Sequence, residues 1–179
     1  MLDEAMAALR RQGAFLGAVL GMGPSGGRAS MEPSYREKLR VAIIAKAGAI
    51  VEAEGLEAVQ ARRIAREAGC AVGTVYNLFG DIDGLIVAVN AQTLSMLGGA
   101  IGNASGSAAA LPLEARLEGL ALAYTRFALD NLRRWEAVFK HRLPPGREVP
   151  PSYVDDQDKL LAVIEAALGG AVSDGRQRA

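Results

Sequence analysis

Glycines at positions 55, 69 and 80 cut the first half of this 179-residue chain into lengths that suit helices and little else. Behind Pro33-Ser34, the residues Leu39, Ile43, Ala47 and Ile50 (with Val51) recur at spacings of four and three. That is the stripe of an amphipathic helix, with Ser34 as its N-cap and Gly55 as a left-handed C-terminal cap. A second helical run covers about residues 60–68 and stops at Gly69 after two turns, and a third covers about 71–78. Asp81 then caps a long apolar face through Ile82, Leu85, Ile86, Val89, Thr93, Met96 and Leu97, ending near residue 100.

Residues 102–110 are small and polar and read as a loop. Pro112 opens a helix whose buried side is Leu113, Leu117, Leu120, Tyr124 and Phe127. Residues 133–142 form a helix around Trp135, Val138 and Phe139, and four prolines between 144 and 151 impose a loop. A last helix spans about 153–168 before Gly169-Gly170. No two-residue alternation occurs anywhere, so the expected fold is all-α.

Composition removes whole classes of function. Lys and Arg number 20 and Asp and Glu 20, which excludes a uniformly cationic surface but not a local basic face. The only cysteine is Cys70 and the only histidine is His141, too few for an internal disulfide or a histidine metal cluster. A Ser-His-Asp hydrolase is equally ill served, and aromatics at 5% argue against a base-stacking sheet. No catalytic residues, metal or cofactor are expected.

Residues 1–33 stand apart. Arg10-Arg11 precedes a run of 11 apolar or glycine residues from Gly13 to Gly23, too short to cross a bilayer. Asp3 and Glu4 spoil a signal-peptide reading; an extension upstream of a start at Met31, or a disordered tail, fits better. A short docking helix is the other alternative.

The informative stretch is QARRIAREAGCAVGTVYNLF, residues 60–79. Two short helices joined at a glycine, behind a longer one, make a helix-turn-helix within a three-helix bundle. Ile64 and Ala65 point inward, Ala68 and Gly69 keep the turn tight, and Val75, Leu78 and Phe79 anchor the third helix. Val72, Gly73, Thr74, Tyr76 and Asn77 are left to face outward on a helix suited to a major groove about 12 Å wide.

With Ile64-Ala65, Ala68-Gly69 and Gly73-Thr74-x-Tyr76-x-x-Phe79, the sequence resembles the DNA-binding domain of the TetR family of bacterial transcriptional regulators over residues 34–90. The resemblance implies a cytoplasmic, sequence-specific regulator, a repressor, that binds a palindromic operator in double-stranded DNA as a homodimer and releases it to a small-molecule effector. It implies DNA contacts at Gln60, Arg62, Arg63, Val72, Gly73, Thr74, Tyr76 and Asn77. Thr74 and Tyr76 hold phosphates, Gly73 lets the backbone approach, and Arg62 reaches a base edge or the backbone. Val72 offers only an apolar contact where a long polar side chain often reads a base.

The chain departs from the pattern at three places: Gln60 and Ala71 stand where capping hydroxyls are usual, and Ile82 where a lysine commonly grips a phosphate. Residues 34–80 carry seven Lys/Arg against five Asp/Glu, so the expected footprint is a few phosphates per protomer. The implied organisation is an extension (1–33), the helix-turn-helix domain (34–80), a helical effector-binding and dimerisation domain (81–170) and a polar tail (171–179). Met96, Tyr124, Phe127 and Trp135 are candidates to line an effector pocket, with plain core as the alternative. Cys70 reads as a buried thiol and His141 as a helix C-terminal cation.

Only 11 residues follow Leu168, so the C-terminal domain reads as truncated relative to regulators that dimerise through two long apolar helices. Dimer contacts are then expected within residues 112–168. Two other readings stay open: a truncated monomeric relative with weak operator binding, and an all-α small-molecule-binding protein without DNA binding.

Overall fold

The computed structural model describes residues 34–106 and 111–168, and among them every regular element is helical. The expected extension, the polar tail and part of the 102–110 loop lie outside the described residues. Helix α1 spans Tyr35–Glu54, and the Ser34 hydroxyl accepts the Glu37 N–H at 3.3 Å, satisfying one of the first-turn donors. Its inward stripe is Ile43, Ala47, Gly48, Ile50 and Val51. Gly55 ends it at φ +92° and ψ 176°, a conformation open to glycine but not the left-handed helical one expected. A 3-10 turn over Leu56–Ala58 leads into α2, Ala61–Glu67, and then α3, Val72–Phe79.

Helix α4 runs from Ile82 to Gly106, farther than the sequence suggests. Glycine at 102 and 106 does not stop it, because Ile101 is fully buried and Ser105 bonds back to the Ile101 carbonyl at 2.7 Å. Long and apolar enough to cross a membrane by composition, α4 buries Leu85, Val89, Leu94 and Leu97 in the protein core instead. It packs along α7, Pro151–Ala167, on one side and against α5, Leu113–Asp130, on the other. Helix α6, Leu132–Lys140, bridges back to α1. Pro151, expected in the loop, is the first residue of α7, where its missing N–H costs nothing.

Two clusters form the core. The first joins Ile43, Ala47, Ile64, Val75 and Phe79 to Leu85, Ile86 and Val89 of α4 and Ala137 of α6. The second gathers Leu94, Leu97, Ile101, Leu120, Phe127, Trp135 and Leu160. Truncating a side chain as enclosed as Leu85 or Leu94 to alanine costs about 2–5 kcal/mol. Leu113 and Leu117, expected inside, are 36% and 42% exposed, since no described element packs over that side of α5.

Candidate nucleic-acid interface

The turn between α2 and α3 follows from one glycine. Gly69 adopts φ +68°, and the Gly69 and Cys70 N–H groups return to the carbonyls of Arg66 (3.3 Å) and Ala65 (2.9 Å). This paired closure of a helix C-terminus needs a left-handed residue, and it turns the chain sharply enough for α3 to cross α2. Cys70 then lies partly buried against the N-terminal core. Ile64, Ala65 and Val75 are almost wholly enclosed, and Phe79 seals the end of α3.

With that side committed to the core, Gly73, Tyr76 and Asn77 are exposed and Thr74 is half-exposed. Tyr76 is 46% exposed, high for a tyrosine between two core anchors. Val72 is partly turned into the N-terminal core. Gln60 precedes α2 in an extended conformation and neither its side chain nor Ala71 caps the helix that follows. The first-turn N–H groups of α2 and α3 are thus without side-chain partners.

The arginines of α2 divide. Arg62 is exposed and has no ion pair among the described residues. Arg63 is committed elsewhere: its Nη1 meets Glu54 Oε2 at 2.8 Å and its Nε meets Glu67 Oε1 at 3.0 Å. The hydrogen bond from Arg63 holds the Glu54 carboxyl below the usual carboxylate range.

Arginines of α1, not singled out in the sequence, flank the other end of α3. Arg40 donates to the Leu78 carbonyl at 3.1 Å and lies 4.7 Å from the centre of the Phe79 ring, and Arg36 reaches the Asn77 carbonyl at 3.5 Å. Positive charge at the C-terminal carbonyls of a short helix complements its dipole and fixes its angle. The available signal was the basic spacing Arg36, Lys38, Arg40 on the first two turns of α1.

In the C-terminal half the four pocket candidates separate. Trp135 meets Phe139, Tyr124 and Phe127 edge-to-face, with ring centres 5.0, 5.4 and 6.1 Å apart. That is the preferred geometry of packed aromatics, and it fills the space between α5 and α6. Met96 is 42% exposed on α4 and does not join them. A cavity does occur in this half, but other residues wall it: Val87, Asn90, Val138, His141 and Tyr153 among them.

Sequence reasoning also missed how this half grips the reading head. Asp81 caps α4 by accepting the Gly84 N–H at 2.8 Å and pairs with Arg147. Two residues on, Asp83 Oδ1 lies 2.9 Å from Nε2 of the nearly enclosed His141. Both contacts hold the first turn of α4, directly after α3.

Residues 43–89 match the family model described as bacterial regulatory proteins, tetR family. No curated protein matches the chain. Among solved structures, a protein of unknown function from Rhodococcus sp. RHA1 is similar with a TM-score of 0.63 and 24% identity, over 81% of this chain and 73% of that one. The presumed regulatory protein SCO4313 is similar with a TM-score of 0.56 and 26% identity, over 74% of this chain and 62% of its own. The chain therefore spans less than two thirds of the length of SCO4313.

Proposed function

We propose, for a chain that residues 43–89 place among the tetR family of bacterial regulatory proteins, the role of a cytoplasmic, ligand-responsive repressor that binds a palindromic operator as a homodimer. The observation that carries this reading is the outer side of α3. A helix of two turns, anchored by Val75 and Phe79, leaves Gly73, Tyr76 and Asn77 free beside a free Arg62. Such a surface has the size of a major-groove reader.

In this reading Tyr76 and Thr74 hold phosphates, Gly73 admits the sugar-phosphate backbone, and Arg62 reaches a base edge or phosphate. Asn77 and Gln60 flank them, Val72 adds an apolar edge, and Arg36 extends the phosphate track. Arg63 contributes by fixing α2 through Glu54 and Glu67. The exposed Leu113, Leu117, Leu122 and Leu129 of α5 support pairing of two protomers through this half of the chain. Effector binding changes the relative setting of the two reading heads, as an exchange between two states of different ligand affinity. Catalysis has no part in it.

The test is a fluorescence-anisotropy titration of the full chain against DNA from upstream of its own gene, with the mass of the complex. Salt-sensitive binding at two protomers per duplex, poorly competed by random DNA, is the expected result. Equal competition by random DNA, or a monomer that does not bind, overturns it.

A further inference from the structure

We propose that the cavity between α4, α6 and the start of α7 binds a neutral, phenol-sized molecule carrying one hydrogen-bond donor. Its regulatory consequence rests on the reading above, but its chemistry does not. The cavity measures about 160 Å³. A space of about 150 Å³ with apolar walls accommodates benzene, so a single six-membered ring sets the size of the occupant.

The walls set its polarity. Val87, Val138, Leu143 and Val149 supply apolar surface from three separate segments. Against them stands Asn90, 3% exposed. Its Nδ2 donates to the Ala137 carbonyl at 3.4 Å, which fixes the orientation of the amide and leaves Oδ1 buried with no partner. A buried acceptor left unmade carries a penalty that a ligand hydroxyl or N–H would remove. A carboxylate would instead face that oxygen, and a cation would face the guanidiniums of Arg142 and Arg147 at the same cavity. Enclosure raises the cost of either charge, so the fitting molecule is neutral.

The site is also placed to act on the reading head. His141 and Arg147 both line the cavity, and they are the partners of Asp83 and Asp81 in the first turn of α4. An occupant that displaces either side chain loosens the two contacts that set α3 against the C-terminal half.

The experiment is calorimetric titration of the full-length chain with phenol and with toluene. The wild type is expected to prefer phenol by about ten-fold, the worth of one satisfied hydrogen bond. Asn90→Leu should abolish that preference while still taking toluene. Val149→Phe, which fills the cavity from a loop, should bind neither and keep the wild-type circular dichroism. Absence of saturable phenol binding, equal affinity for the two probes in the wild type, or a preference that survives Asn90→Leu overturns the site. Operator affinity, measured in parallel without phenol, tests the regulator reading alone, so the two failures are distinguishable.

Discussion

Gly48 of α1 and Arg134 of α6 lie in direct contact: a Cβ at position 48 would stand 2.2 Å from Arg134 Nη1, so the guanidinium rests on the bare backbone of α1. Arg134 is 5% exposed, its Nη2 donates to Gln92 Oε1 at 2.7 Å, and its Nε has no partner. Burial pulls this guanidinium below its usual range, and the charge of Glu52 only partly opposes it. One cation thus ties α1, α4 and α6 together where the DNA-reading bundle meets the rest of the chain.

Gly48→Ala should therefore destabilise the protein although alanine is the better helix former. Displacing a buried, charged hydrogen bond outweighs the propensity gain, for a net loss of about 1–2 kcal/mol. In an Arg134→Ala background the same substitution should become stabilising by up to about 1 kcal/mol. A double-mutant cycle by urea denaturation measures this coupling, and additive effects would show the contact to be unimportant.

Tyr76→Phe removes only a hydroxyl from the outer side of α3. Affinity should fall by about five-fold on every DNA sequence, as loss of one phosphate hydrogen bond requires. Arg62→Ala should cost about 1–3 kcal/mol and relax preference at one base position. Arg63→Ala should leave affinity nearly unchanged and lower the melting temperature slightly, because its partners are Glu54 and Glu67. Anisotropy titrations against an operator and its single-base variants separate the three.

The Asp81 carboxyl lies below the usual carboxylate range, chiefly because the Gly84 N–H donates to it, with Arg147 adding to the effect. A folded-state value depressed from the ordinary 3.8 means that stability is present above that pH and is lost as pH falls through the folded value. Asp81→Ala should cost about 1 kcal/mol at neutral pH, the worth of a helix cap. Thermal melts from pH 7 downward should show the gap to the wild type closing only below about pH 4.

Tyr153, buried at the start of α7, has its phenol pushed up to about 12 by burial, with the charge of Asp156 adding to it. Its folded value lies above the ordinary 10, so stability present below pH 10 is lost as pH rises through 12. A 295 nm absorbance titration should show a late-ionising phenol that vanishes in Tyr153→Phe. An unchanged titration in that variant would place the late phenol elsewhere.

Much of the reading head was legible from spacing. Ser34, Gly69, Ile64, Val75 and Phe79 act through neighbours within a turn or two, and such local rules survive without tertiary context. The aromatic residues were less informative: Tyr124, Phe127 and Trp135 sit at helical spacing whether they line a pocket or pack on one another, and here they pack. Leu113 and Leu117 keep the period of a buried stripe yet stay exposed, because period describes one side of a helix and not what covers it.

The sequence by itself determined that the chain is helical, where its first helices begin and turn, and which side of α3 faces outward, since each depends on φ preferences, caps and periodicity over a few residues. The tertiary structure decided that Arg63 belongs to Glu54, that His141 meets Asp83 across 58 residues of chain, that Arg134 rests on Gly48, and that Asn90 looks into a cavity with an oxygen unpaired. Those pairings depend on the angles at which helices distant in sequence cross, and no local pattern of residues encodes them.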